Sequence, residues 1–374
     1  MNSFHAGHWM KRSGYRSFEP GKINRPWKID DAIVQESLST ADRHLGRLDM
    51  FSEYVPNLDL FIQMHVAKEA TKSSRIENTR TEIEEAILPQ EEIAIERRDD
   101  WMEVNNYIVA MRRGMEALDR LPFSNRLLKE AHQTLMQGVR GREKMPGEFR
   151  TSQNWLGGSN PGNARFVPPI HENVPDLMGD LETFVHNADL HLPPLLKAGI
   201  MHYQFETIHP FLDGNGRIGR LMIPLHLISN KILKQPVLYL SDYLERNREE
   251  YYQRLTRVRD YHDLSGWLHF FLDGITETAQ NGVATFDQIL QLQKHWEKEI
   301  GSWKPRTAHG LKLFTHLFTH PWVNAAQVSE VCTVSPGTAY TLIERLVTCG
   351  LLREITGAKR GKLYLFDPYL KLFH

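Results

Sequence analysis

The chain of 374 residues and 43.4 kDa is long enough for two or three domains. Its 41% hydrophobic and 24% charged residues are typical of a soluble globular protein, and a net charge of −1 gives no global signal for nucleic acid or membrane. Two cysteines argue against a disulfide framework, and no apolar run is long enough to span a bilayer. We therefore expect a cytoplasmic protein with no membrane partner.

Residues 1–30 combine basic residues with interleaved aromatic residues, a composition that can contact nucleic acid. The favoured interpretation is an irregular surface arm that its aromatic side chains hold in place. From Asp30 onward the pattern is helical. Helices are predicted at about 30–47, 57–71, 74–88, 100–119 and 124–137.

The segment Ser73-Ser-Arg-Ile-Glu77-Asn78 has a structural interpretation of its own. Ser74 followed by Glu77 forms a Ser-x-x-Glu capping box, which predicts that a helix begins here and continues through Ile87. On the residues alone this interpretation is sufficient.

The stretch 146–169 is rich in Gly, Ser, Asn and Pro and is clearly not helical. Two short extended runs, at about 153–156 and 164–167, bracket a turn region, which predicts a β-hairpin. A plain connecting loop is the alternative.

A helix is predicted from Pro193 because apolar residues recur there with helical spacing. His202 lies on this helix, where a structural role is favoured over a chemical one. Glu206 lies three residues before His209, and three roles stay open for it: orienting that imidazole, lining a nucleotide pocket, or bonding a partner at the helix end.

The stretch His209-Pro-Phe-Leu-Asp213-Gly-Asn-Gly-Arg217-Ile-Gly-Arg220 concentrates the chemistry of the chain. An imidazole can accept a proton near neutral pH, and a carboxylate is a hard oxygen ligand suited to Mg²⁺. The glycines let peptide N–H groups converge on an anion, and a helix that begins at about Asn215 adds its positive end. Arg217 and Arg220 share one face of its first turn. Together these features indicate nucleotide-phosphate chemistry.

This helix continues as an apolar run that predicts a buried hub, interrupted by Pro224. A further helix begins at about Asp242 and carries Tyr251 and Tyr252, and a long helix is predicted at about 263–300. Residues 306–374 show the order of a winged helix-turn-helix, with basic residues at the wing tip. The recognition helix of this unit has a single arginine, so DNA binding and protein interaction both stay open.

The motif 209–220 resembles that of the Fic family, His-x-Phe-x-Asp/Glu-Gly-Asn-Gly-Arg-x-x-Arg, at every specified position. The resemblance covers about residues 60–275 and implies a mainly α Fic-type helical bundle with a small β-hairpin flap, plus the C-terminal winged helix-turn-helix domain. The expected organisation is an N-terminal helical region (1–110) with an inhibitory helix (about 73–88), a catalytic core (111–275) with the flap (about 150–168), a bridging helix (276–305) and the C-terminal domain (306–374).

The resemblance implies an adenylyltransferase that moves AMP from ATP to a Ser, Thr or Tyr hydroxyl of a target protein or of itself, with Mg²⁺. His209 is the implied base and Asp213 the metal ligand. The implied ATP-binding residues are Gly214, Asn215, Gly216, Arg217, Gly219, Arg220, Tyr251 and Tyr252.

Many Fic proteins carry an inhibitory pattern, Ser/Thr-x-x-x-Glu-Gly/Asn, which Ser73, Glu77 and Asn78 fit. By this resemblance Glu77 pairs with Arg220 and occupies the position of the nucleotide γ-phosphate. The flap, with Trp155, Leu156, Phe166 and Val167, would dock an extended target segment by strand addition.

Three alternatives stay open. In the first, the protein is a DNA-binding regulator whose Fic fold only senses nucleotide. In the second, it transfers a phosphoryl group, as Doc-type kinases do. In the third, the same site also removes AMP. A homodimer is compatible with the bridging helix and the C-terminal module.

Overall fold

The computed structural model describes residues 4–54, 58–138 and 143–374, and most of them are helical. The helices are α1 (Ala32–Tyr54), α2 (Leu58–Ile76), α3 (Ile83–Ala86), α4 (Arg98–Leu118), α5 (Asn125–Leu135), α6 (Val174–His186), α7 (Pro194–Ile208), α8 (Asn215–Ser229), α9 (Ser241–Arg246), α10 (Arg248–Tyr261), α11 (Leu264–Gly301), α12 (Thr307–Thr319), α13 (Ala325–Cys332), α14 (Pro336–Thr348) and α15 (Asp367–Leu370). The strands are β1 (Gly7–Lys11), β2 (Arg16–Pro20), β3 (Trp322–Val323), β4 (Leu352–Glu354) and β5 (Tyr364–Phe366). Within the described ranges, no helix is long and apolar enough to cross a bilayer.

The centre of the bundle is the pair α7 and α8, which are buried almost throughout. The predicted hub is confirmed, and α8 continues through Pro224. Helix α11 has 38 residues and starts at Leu264, inside the predicted core, so the expected boundary at 275 falls within one helix. The boundary at 110 likewise falls within α4.

The prediction of an irregular N-terminal arm is wrong. This segment forms an antiparallel hairpin of β1 and β2 in which Trp9 pairs with Phe18. Phe18 is fully buried, and its N–H donates to the carbonyl of Val167 at 2.9 Å. Gly14, at φ +82°, makes the tight turn, and the dipeptide Ser13-Gly14 was the local signal for it. The hairpin therefore extends the edge of the flap region.

The C-terminal unit has the predicted succession of helices and strands, with β3 added to make a three-stranded sheet in the order β3-β5-β4. The arginine of the predicted recognition helix, Arg345, lies 4.2 Å from the ring centroid of Trp303. It is thus engaged by the protein itself. Lys359, Arg360 and Lys362 are exposed at the wing tip.

Candidate active site

His209 ends α7 in the left-handed conformation (φ 52°), six residues before α8 begins at Asn215. Its Nδ1 lies 3.3 Å from the carbonyl oxygen of Glu206. A carbonyl only accepts, so Nδ1 carries the hydrogen and Nε2 keeps its lone pair. Burial lowers the pKa of His209 to about 4, so the ring is neutral and able to take a proton at physiological pH.

Arg150 holds the loop of His209 against the base of the flap. Its Nε donates to the carbonyl of His209 at 3.0 Å, and its Nη2 donates to the carbonyls of Ile208 and Pro169. Asn154 adds a second connection, because its Nδ2 donates to the carbonyls of His209 and Phe211. The flap and the loop of His209 therefore form one hydrogen-bonded unit.

His132 supports the loop from α5. Its ring stacks on Phe211 with centroids 3.8 Å apart and planes 8° apart. Its Nε2 donates to the carbonyl of Asp213 and its Nδ1 accepts from the N–H of Gly147, so both ring nitrogens are satisfied in one neutral tautomer. The roles of Arg150, Asn154 and His132 were not predicted from the sequence. Each side chain bonds to backbone carbonyl or N–H groups that are distant in the chain, and no local sequence pattern predicts such contacts.

Asp213 precedes the N-terminus of α8 and is exposed. Its Oδ1 accepts from the N–H of Gly214 at 2.6 Å, so this N–H serves the carboxylate rather than a phosphate, contrary to the prediction. The side chain of Asn215 also turns inward, bonding both backbone groups of Phe211. The N–H groups of Asn215, Gly216 and Arg217 come before the first intrahelical donor, Ile218, so no carbonyl of α8 accepts from them and they are available to an anion. This arrangement is an anion site.

The donor set at Asp213 fits Mg²⁺, which is commonly held by one or two carboxylates together with substrate phosphates. The exposed carboxylate, oriented by the N–H of Gly214, beside an anion-binding helix end, provides that chemistry. Among the residues that the structure describes, no cluster of three or more His, Cys, Asp or Glu forms a complete metal cage.

Arg220 is almost fully buried and is held by α2 and the turn that follows it. Its Nε donates to the hydroxyl of Ser73 at 2.8 Å, and its Nη2 donates to the carbonyl of Ser73 and to Oε1 of Glu77. Burial acts to raise the pKa of Glu77, but the Arg220 guanidinium outweighs it and keeps that pKa below its ordinary value. The predicted association of Ser73, Glu77 and Arg220 is present in the structure.

Arg217 has a carboxylate partner of its own. Its Nη1 lies 3.3 Å from Oε2 of Glu103 on α4, and the Thr79 hydroxyl lies 3.4 Å from that same oxygen. Thr79 directly follows the Glu77–Asn78 pair. Both motif arginines are therefore paired with carboxylates, one of which the sequence did not indicate.

The predicted helix start at Ser74 is wrong, because α2 ends there. The N–H of Asn78 donates to the carbonyl of Arg75 and the N–H of Thr79 donates to that of Ser74, which is the Schellman pattern of a helix C-terminus. Asn78 has φ 71°, which explains why asparagine or glycine suits this position. The inhibitory segment is thus the end of α2 and its turn, and a separate short helix, α3, follows.

Replacing Asn78 by valine should destabilise this turn by about 1–2 kcal/mol, since a β-branched residue is costly in the left-handed region. Thermal unfolding measures this loss. The control is Asn78→Gly, which keeps the backbone conformation and loses only the bonds from Arg248 to the Asn78 side chain. Equal unfolding temperatures for the two variants would contradict the backbone explanation.

The two tyrosines nominated for adenine contact have different environments. Tyr251 is 1% exposed and its hydroxyl bonds to Nε2 of His202, whose Nδ1 donates to the carbonyl of Gly219. It is therefore a core residue, contrary to the prediction, and the structural role predicted for His202 is confirmed. Tyr252 is 37% exposed, with the Arg248 guanidinium 6.0 Å from its ring centroid, so adenine contact stays a prediction for this residue.

The flap is smaller than predicted, with a single antiparallel bridge between Leu156 and Phe166. Phe166 and Val167 are buried, and the ring of Phe166 stacks under the Arg259 guanidinium at 4.0 Å. Their side chains therefore anchor the flap, and the docking of a target by strand addition stays a prediction. Trp155 is 40% exposed and Leu156 is partly exposed, ahead of the turn of the flap.

The buried imidazoles make stability dependent on pH. Burial lowers the pKa of His132, His202 and His209 to about 4 from 6.5, so between these values the unfolded chain binds protons that the folded chain does not. The free energy of unfolding should therefore fall on acidification from about pH 6.5 toward pH 4, by about 1.4 kcal/mol per pH unit for each imidazole. Urea unfolding across this range measures the slope, and a flat profile would contradict these protonation states.

A neutral histidine, an exposed carboxylate, a helix N-terminus and two arginines lie at the junction of α7 and α8 and in the first turns of α8, and this helical protein therefore has the groups that bind phosphate. Two family models match the chain: "Fic/DOC family N-terminal" over residues 35–116 and "Fic/DOC family" over residues 122–227. Together they cover half of the sequence. The chain belongs to the Fic/DOC family.

Among curated relatives, a probable protein adenylyltransferase of Aquifex aeolicus is 24% identical over 243 residues, which are 63% of this chain and 70% of the relative. Protein adenylyltransferase fic-1 of Caenorhabditis elegans is 32% identical over 125 residues, which are 33% of this chain and 22% of the relative. The chain thus spans most of the first protein and less than a quarter of the second.

Among solved structures, a Fic family protein from Desulfovibrio desulfuricans G20 has a TM-score of 0.58 at 20% identity, covering 91% of this chain and 98% of that one. A Fic domain containing signalling protein from Bacteroides thetaiotaomicron has a TM-score of 0.52 at 18% identity, covering 68% of this chain and 97% of that one. These similarities establish the Fic fold.

Proposed function

We propose that the protein is an adenylyltransferase that transfers AMP from ATP to a Ser, Thr or Tyr hydroxyl of a target protein or of itself. The observation that carries this proposal is the neutral His209 beside the N-terminus of α8, with its Nε2 lone pair available. The names of the curated relatives support the same activity.

In the proposed reaction, Nε2 of His209 takes the proton of the target hydroxyl as its oxygen attacks the α-phosphorus. The bond from the α-phosphorus to the bridging oxygen breaks, and pyrophosphate leaves. Asp213 would hold Mg²⁺, which would offset negative charge on the α- and β-phosphates. The N–H groups of the first turn of α8 bind phosphate oxygens, and Arg217 and Arg220 bind the β- and γ-phosphates.

The same contacts make the site autoinhibited. Oε1 of Glu77 lies 2.8 Å from Nη2 of Arg220, and a γ-phosphate oxygen needs that nitrogen. A carboxylate and a phosphate cannot share one guanidinium without like-charge repulsion, so the turn that follows α2 must move before ATP binds productively. Bonds from Arg248 to Asn78 and from Thr79 to Glu103 hold the turn in place.

The target is expected to pair with residues 153–156 of the flap, where Trp155 is exposed, because Arg150 and Asn154 bond this part of the flap to the backbone of His209. For the C-terminal unit, the engagement of Arg345 by Trp303 supports protein contact more than DNA readout by α14. A regulator that reads DNA through this helix has correspondingly less support.

The test uses the Glu77→Gly variant, ATP, Mg²⁺ and a soluble cell lysate as the source of targets. Mass spectrometry of tryptic peptides should find adenylyl groups on Ser, Thr or Tyr side chains, and these should be absent with Glu77→Gly/His209→Ala. Phosphoryl groups that depend on His209, without adenylyl groups, would replace this proposal by a kinase.

A further inference from the structure

Glu206, in the last turn of α7, has a buried carboxylate to which the proposed reaction assigns no role. The residue is 8% exposed, and its Oε1 has no hydrogen-bond partner among the described residues. The bond to His209 uses only the backbone carbonyl of Glu206, so its side chain does not orient the imidazole. An unpaired buried carboxylate oxygen costs free energy, and its presence in a ligand site points to a ligand that pairs with it.

Two glycines of α8 place this carboxylate beside that of Glu77. A Cβ built on Gly216 would lie 2.3 Å from Oε1 of Glu77, and a Cβ built on Gly219 would lie 2.2 Å from Oε1 of Glu206. Residues three apart on a helix lie on one face with their Cβ positions roughly 5–6 Å apart. The two carboxylates therefore lie against the same face of α8, each over one of these glycines. Because Gly219 has no Cβ, it leaves room for the carboxylate of Glu206.

The charged and titratable groups that face Glu206 come from α8, α10, the turn after α2 and its own helix: Arg220, Arg259, Tyr251, Tyr252, Glu77 and His209. Burial raises the pKa of Glu206 to about 7, with Glu77 acting in the same direction and Arg220 against it. Near neutral pH this carboxyl therefore exists in both the acid and the ionised form.

We propose that Glu206 is a specificity residue for the γ-phosphate of ATP, which it accepts as a carboxylic acid and repels as a carboxylate. The inference rests on the proposed function, in which the γ-phosphate takes the place of Glu77 beside Arg220. Phosphate oxygens only accept hydrogen bonds, so only the acid form of Glu206 can donate to them. The ionised form would instead put a second negative charge about one helical turn from the phosphate, in a buried site.

The test measures the dissociation constant of Mg-ATP by calorimetry for the full-length Glu77→Gly protein at about pH 6 and about pH 8.5. The expected result is binding about tenfold weaker at the higher pH, because the acid form becomes scarce above its pKa. Glu206→Gln in the same background should bind ATP at both pH values with nearly unchanged affinity, since the amide stays neutral and donates. Exposed Glu249→Gln is the matched control and should keep the parent's pH dependence.

AMP is the second probe, because it has no γ-phosphate. Its affinity should not depend on residue 206 or follow the pH dependence of ATP. The proposal is overturned if ATP binding responds to pH as strongly in Glu206→Gln as in its parent, or if AMP shows the same response as ATP. Binding is measured directly, so a failure of AMP transfer would count against the proposed function and leave this result interpretable.

Discussion

Replacing Glu77 by glycine is expected to raise the rate of AMP transfer by about tenfold to a hundredfold. The basis is the hydrogen bond from Arg220 to Glu77, a charged pair in which Arg220 is 1% and Glu77 38% exposed in their side chains. Such charged hydrogen bonds contribute roughly 1.5–3 kcal/mol, and ATP must displace this one before its γ-phosphate meets the guanidinium. The rate is measured as label transferred from [α-³²P]ATP to protein.

The matched control for this prediction is Glu91→Gly, which removes an exposed carboxylate close in the chain but away from both arginines. It should leave the rate at the wild-type level. An unchanged rate in Glu77→Gly, with unaltered folding, would leave Glu77 only a structural role in the turn that follows α2.

Replacing His209 by alanine in the Glu77→Gly background is expected to lower the transfer rate by about 10²–10⁴-fold, the range for loss of a positioned general base. The Nε2 lone pair is the proton acceptor next to the anion site, and alanine removes it without disturbing the bond from Arg150 to the backbone carbonyl of residue 209. ATP affinity should change little, because the ring makes no predicted contact with the β- or γ-phosphate.

His295→Ala, at an exposed position on α11, serves as the control and should keep full activity. Thermal unfolding of both variants separates loss of the base from loss of the fold. Substantial transfer by the folded His209→Ala protein would require another base.

The chemistry of residues 209–220 was predictable because it lies in one contiguous stretch. The start of α8 at Asn215 follows from a glycine turn ahead of an apolar run, and the structure places it there. The groups that hold this stretch in shape come from elsewhere. Arg150 and His132 bond to carbonyls about 60 to 80 positions away in the chain, and no local periodicity predicts such contacts.

The segment around Ser74 shows why the local reading of the sequence failed. Ser-x-x-Glu resembles a helix start, and the same four residues form the last turn of α2 and its end. The left-handed Asn78 that follows is the signal of a helix end, which the capping-box interpretation overlooked. The pairing of Glu77 with Arg220 was nevertheless expected from the family resemblance, since it depends on the spacing of Ser73, Glu77 and Asn78 and not on where the helix begins.

The adjacent tyrosines show a further limit. Their spacing predicts that the two side chains point in different directions, but not which of them is buried. The hydrogen bond from Tyr251 to His202, which lies on another helix, decides it. Glu206 is similar, because its environment depends on a glycine thirteen positions later, in the next helix.

The position of the transferred label tests the account most directly. The Glu77→Gly and Glu77→Gly/His209→Ala proteins are each incubated with Mg²⁺ and with ATP labelled at either the α- or the γ-phosphate. The label bound to protein is then measured. The account predicts α-label on protein, no γ-label, and loss of the signal in Glu77→Gly/His209→Ala. Label transferred from the γ-phosphate alone would contradict it and identify a phosphoryl transfer.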